Sequence, residues 1–193
     1  MPGAHLSVSI HPEPGDDRVL DRIRELLRER GARPDGDDHF RDRRRRMWLH
    51  RADSGAVEII MPAGPFDGPD GTRREKVTFA RHLIDLLVAV TERTRPRYGG
   101  IGIEDILPTP AALRAGIPTQ GYVTDPLFVR RDLLDDEALN TALNSDFRRI
   151  IPGTAGTVFA SWWPFADESP ATPGGLPIHG TWATGRLLGR AAR

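Results

Sequence analysis

The order of hydrophobic periodicities along this 193-residue chain predicts an α+β domain, with helices on one face of a mainly antiparallel sheet. Three observations predict it. Leu6, Val8 and Ile10 alternate with Ser7 and Ser9, the period of a half-buried strand. Two stretches, Val19 to Leu27 and Phe79 to Val90, repeat apolar residues at helical spacing. Short strand-like runs, bounded by Gly, Pro and Asp, follow each helix. Strand, helix, strand, strand, helix, strand is the split βαβ or ferredoxin-like order, which would put both helices on one face of a four-stranded sheet.

Taken in order, the first strand ends at Pro12, Pro14 and Gly15, and Asp16 or Asp17 can cap a helix near 17–30 that stops at Gly31. Residues 31 to 46 are polar and read as a loop ending in Arg41-Asp42-Arg43-Arg44-Arg45-Arg46. Met47 to Arg51 and Val57 to Met61 read as a hairpin around Asp53-Ser54-Gly55. A Pro/Gly-rich loop reaches Gly71, after which Thr72 and Glu75 have capping-box spacing ahead of a helix near 75–93. Pro96 ends it, and Tyr98-Gly99-Gly100-Ile101-Gly102-Ile103-Glu104 reads as a strand. Ile101 and Ile103 belong under the helices; Gly100, Gly102 and Glu104 face away. A possible helical turn at Ala111 to Ala115 comes next. Pro126 demotes Gly121 to Arg130 to an irregular or edge strand. A short helix capped by Asp135 carries Leu139 and Leu143, and Arg148 to Ile151 with Thr157 to Ser161 form a last strand pair. These extend the first half into a single α+β domain over residues 1–163; residues 164–193 read as a Pro/Gly-rich, partly ordered C-terminal tail.

Composition narrows the function classes. With 27 basic and 27 acidic residues the formal net charge is zero, so no overall field gathers nucleic acid or an anionic membrane. Lys76 is the sole lysine, which reads as GC-rich coding as in many actinobacteria, the alternative being selection for bidentate arginine forks. The absence of cysteine excludes disulfides, thiolate metal sites and cysteine nucleophiles. The opening Met-Pro-Gly-Ala-His has no signal-peptide pattern and no apolar run spans a membrane, so the expected location is the cytoplasm.

The candidate site is a bare strand face. Gly100 and Gly102 allow something to approach the backbone beside Glu104, the one candidate catalytic acid. A dinucleotide fingerprint would need glycine at 105, where Asp105 stands, and no phosphate cofactor is expected. Glu104 and Asp105 point to opposite faces and cannot pair as glycosidase carboxylates. The six histidines, His5, His11, His39, His50, His82 and His179, lack metal-ligand spacing, and no metal is expected. The serines stand in no nucleophile motif. Arg43, Arg44, Arg45 and Arg46 suit carboxylates of an acidic protein, whereas the nearby aspartates and the lack of a stacking pattern weigh against nucleic acid. Trp162 and Trp163 form an aromatic patch that is either a core plug or a hot spot.

The helix ending in Arg95-Pro96, the strand Tyr98 to Glu104, the Leu134-to-Leu143 helix and the strand Thr157-Val158-Phe159-Ala160-Ser161 resemble the pattern of small α+β immunity proteins from bacterial polymorphic-toxin systems. The resemblance implies a cytoplasmic, non-catalytic protein that neutralises a toxin by direct contact; the tail after Pro164 departs from it. A protein-binding module, of immunity or accessory type, is therefore preferred over two alternatives. These are a small-molecule enzyme with its site near Glu104, and a nucleic-acid-binding protein using Arg41 to Arg46. The sequence sets no oligomeric state.

Overall fold

A computed structural model describes residues 5–42, 45–64, 72–103, 107, 109–111, 126–134 and 149–160. Among them nine strands form one sheet: β1 His5–His11, β2 Arg33–Pro34, β3 His39–Asp42, β4 Arg45–Arg51, β5 Val57–Pro62, β6 Tyr98–Ile103, β7 Leu127–Arg130, β8 Arg149–Pro152 and β9 Gly156–Ala160. Their order is β2-β3-β4-β5-β1-β6-β7-β9-β8, and every neighbouring pair is antiparallel. Two long α-helices lie among the described residues, α1, Val19–Glu29, and α2, Arg73–Thr94, with a short 3-10 helix at Arg131–Leu133. The expected mixture of two helices with a mainly antiparallel sheet is what the chain forms.

Local chemistry explains the helix ends. α2 begins with the expected capping box: Glu75 N–H donates to Thr72 Oγ1 at 3.3 Å, and Thr72 N–H donates to Glu75 Oε2 at 2.9 Å. It ends at Arg95, whose left-handed φ of 49° turns the chain into Pro96. α1 differs at its start. Arg18 occupies the N-cap without a side-chain cap, and Asp16 is spent on an ion pair with Arg22, so neither expected aspartate caps the helix. At its end Ala32 N–H donates to Leu27 C=O and Gly31 N–H to Arg28 C=O, the two bonds of a Schellman turn with Gly31 left-handed.

Both helices pack on the same sheet face. Val19, Ile23 and Leu27 of α1 and Phe79, Leu83, Leu87 and Val90 of α2 are buried in one cluster with Leu6, Val8, Ile10, Leu49, Ile59, Ile101, Phe128 and Val158. Glu92 near the end of α2 reaches the β8–β9 turn, where it accepts the Ala155 N–H at 3.1 Å and a hydrogen bond from Thr154. That contact ties the far end of the sheet to the helix.

Two strand expectations also need correction. Residues 31–46 are not simply a loop: β2 and β3 form there and pair with each other, and β3 pairs with β4. The pattern is too short to read, because Phe40 is the only buried side chain between exposed His39 and Arg41. Pro126 does not put its strand at an edge. β7 starts one residue later and lies between β6 and β9, and the Pro126 carbonyl accepts the Ile101 N–H at 3.1 Å. A proline that precedes a strand forfeits no ladder donor. The expected helix from Asp135, most of the turn at Ala111 to Ala115 and the tail 164–193 lie outside the described residues.

Candidate functional site

The sheet face turned away from the helices carries the polar groups. Register lines them up in rows: His50 on β4 faces Glu58 on β5, Glu58 faces Ser9 on β1, and Ser9 faces Gly100 on β6. In the next row His39 faces Trp48, Trp48 faces Ile60, Ile60 faces Ser7, and Ser7 faces Gly102. His11 and Tyr98 pair one step further, with ring centroids 5.0 Å apart.

This face has two regions of different character. Around β1 and β6 it is buried: Ser9 is 3% exposed, His11 4% and Glu58 8%, and Gly100 is buried with them. Ser9 Oγ donates to Ser7 Oγ at 3.1 Å. Burial pushes the Glu58 carboxyl up from its ordinary range, and His50 across the strand pair partly offsets this. Burial, with the Arg97 guanidinium adding to it, pulls His11 down to about 4, so its imidazole is neutral at pH 7. His11 Nε2 and Arg97 Nε are buried and have no hydrogen-bond partner among the described residues. The arrangement holds proton-exchanging groups in a low-dielectric setting. It lacks the geometry of a nucleophilic triad, because the carboxyl rather than the imidazole stands in the middle of the His50–Glu58–Ser9 row.

Around β3 and β4 the same face opens to solvent. Trp48 is half-buried, and its ring meets His5 edge-on at 5.7 Å and His39 edge-on at 6.3 Å. Beside it Arg41 and Arg46 lie directly opposite each other on adjacent strands, both exposed. Arg41 reaches Asp35 at 3.4 Å; Arg46 has no ion-pair partner among the described residues.

The sequence-predicted residues separate accordingly. Gly100 and Gly102 do lie on the face away from the helices, as expected, but Gly100 is buried and Gly102 only half-exposed. Arg46 joins the solvent-open patch. Arg45 does not: strand alternation sends it to the helix side, where its guanidinium carbon sits 4.0 Å from the centroid of the Phe79 ring. Arg43, Arg44, Glu104, Trp162 and Trp163 lie outside the described residues. Sequence reasoning missed Glu58, Trp48 and the His11 environment. The only available signal was Glu58 at an alternating position between Val57 and Ile59, where a carboxyl shares a strand with core residues.

Among the described residues no cluster of His, Asp and Glu could hold a metal ion, and no helix is long and apolar enough to cross a membrane. Comparison with known protein families, with characterised proteins and with solved structures finds no match to this chain.

Proposed function

We propose that this protein is a cytoplasmic, non-catalytic binding module that engages an acidic protein partner through the solvent-open sheet face formed by β3 and β4. The observation that carries this reading is the Arg41–Arg46 pair. Like charges directly opposite on neighbouring strands repel, a cost that a carboxylate from a partner would reverse by accepting from both guanidiniums. Trp48 beside them supplies a rigid aromatic anchor of the kind that dominates protein interfaces. The β4-β5-β1-β6 order, with α1 and α2 on one face, supports a ferredoxin-like reading of the first half. With the resemblance to immunity proteins, it makes a toxin or a larger assembly the favoured kind of partner.

The test is co-purification of the full chain from its native host, alongside the Arg41→Glu/Arg46→Glu double variant. A stoichiometric acidic protein held by the wild type and lost by a normally folded variant supports the proposal. Sequence-independent, steeply salt-dependent retention of nucleic acid in its place would move the function to the nucleic-acid alternative. Retention of the same protein by the double variant would refute this surface.

A second reading has its own observation. Glu58 is a buried carboxyl with a raised pKa beside Ser7 and Ser9, the environment enzymes use for a general acid. A bound small molecule that is released on Glu58→Gln substitution would favour it.

A further inference from the structure

A cleft opens on the helix side of the sheet, away from the patch described above. Its volume is about 280 Å³, and it lies where the chain leaves α1 and meets α2 and the β3–β4 hairpin. Leu27, Ala32, Met47 and Leu86 line it, and all four are buried apolar residues. The polar lining comes from three different elements: Arg30 after α1, Asp42 on β3 and His82 on α2. Apolar walls with a few convergent polar groups are the usual construction of a small-molecule site.

The polar groups leave binding capacity unused. His82 Nε2 is 3.9 Å from Asp42 Oδ2, beyond hydrogen-bond distance. Arg30 is exposed and has no ion-pair partner among the described residues. Arg45, drawn over Phe79, adds a second guanidinium near the imidazole. The charged groups acting on His82 are Arg45, Asp42, Arg30 and, from its own helix, Asp85. Two guanidiniums against two carboxylates leave no net charge while the imidazole is neutral, so a proton on His82 makes the site positive. Burial first, then Arg45, lowers the His82 pKa below its ordinary value of 6.5, which favours the neutral imidazole at pH 7.

We propose that this cleft binds a small organic carboxylate with an apolar body, the carboxylate on Arg30 and His82 and the body against Leu27, Met47 and Leu86. The ligand's negative charge compensates a proton taken from solvent onto the imidazole, so an anion and a proton bind together. No covalent bond of the ligand changes. Affinity rises as the pH falls toward the His82 pKa, and by linkage the bound carboxylate raises that pKa.

The test titrates the full chain with hexanoate and benzoate, and with acetate and inorganic phosphate as probes lacking the apolar body. Calorimetry at about pH 6 and about pH 8 is paired with NMR of the histidine ring protons. Saturable binding of hexanoate or benzoate is expected, at least about tenfold tighter than acetate or phosphate and tighter at the lower pH, with the His82 signal titrating at higher pH in the complex. Arg30→Gln should weaken binding about tenfold or more without moving the thermal midpoint, because the side chain is exposed, and His82→Asn should remove the pH dependence. Absence of saturable binding by both aryl and alkyl carboxylates would overturn the proposal. Equal binding of acetate or phosphate, or unchanged affinity in Arg30→Gln, would do the same.

Discussion

Gly156→Ala sets two effects of opposite sign against each other at one site. The residue opens β9 opposite Arg130 of β7, in the interior of the sheet. Alanine would restrict the unfolded chain more than glycine does, and at an unstrained site that stabilises by about 0.4–1 kcal/mol. Here a Cβ would sit 2.7 Å from Cε2 and Cζ of Phe128 and well inside contact with the Val129 carbonyl oxygen. Ordinary contact begins at 3.4 Å, so the ring would have to retreat by at least 0.7 Å (3.4 minus 2.7). Phe128 is 1% exposed and belongs to the main core, which leaves the ring nowhere to go; the Val129 oxygen is backbone in a paired strand. Overpacking of this kind costs about 1–3 kcal/mol, which exceeds the entropic gain. The variant is expected to be less stable by about 1–2 kcal/mol, a fall in melting temperature of about 2–8 °C for a chain of this length. Urea melts followed by tryptophan fluorescence and circular dichroism measure it. An unchanged or higher midpoint at equal m-value would refute the packing of β9 on β7 described here.

Leu87→Ala should cost about 2–5 kcal/mol in the same urea assay, because the side chain is fully buried between α2 and the sheet. His11 is held neutral down to about 4 against an unfolded value of 6.5, so it contributes stability that is fully present above pH 6.5 and lost as pH falls to about 4. The fall from 6.5 to about 4 corresponds to roughly 3 kcal/mol, so wild type should lose about that much stability relative to His11→Asn as the pH drops across that window. Glu58 has the opposite sign: its folded pKa is raised, so stability is lost as pH rises from the unfolded value near 4.5 through the folded one. Glu58→Gln should therefore gain on wild type on going from about pH 4 to about pH 8, and a constant difference between the two would mean the carboxyl is not buried.

What could be read from the sequence follows from how much of each pattern a short window contains. α2 was legible from both ends because its capping box is local and its apolar stripe is long. Ile101 is legible as a helix-side residue because strand alternation needs only its immediate neighbours. β3 was not legible: a four-residue strand with one buried side chain offers Phe40 alone as signal, and its hydrogen bonds come from β4. Pro126 misled because the strand boundary, which decides whether a missing N–H matters, is set by pairing with β6 and β9. The candidate site was half legible. Gly100 and Gly102 marked the right face, but the partners across from them, Ser9 and Ser7, and the burial of Glu58 depend on strand order.

The arginine run shows most directly how the fold redistributes what the sequence presents as one feature. In an unstructured loop five guanidiniums would repel one another and act together. In a hairpin, successive residues point to opposite faces, so the run is divided by position. Arg41 and Arg46 go to the open sheet face beside Trp48, while Arg45 goes to the helix side over Phe79, near His82. The division changes what a charge reversal would report. Replacing Arg45 by Glu would remove a packed cation–π contact and place a carboxylate near Asp42, so a loss of partner binding in that variant would mix folding with recognition. Arg41 and Arg46 are exposed, and Arg46 has no ion-pair partner among the described residues, so reversing them alters the field at the open face and leaves the core contacts in place. The strand period thus separates one arginine packed on the core side from two on the open face within six residues of sequence.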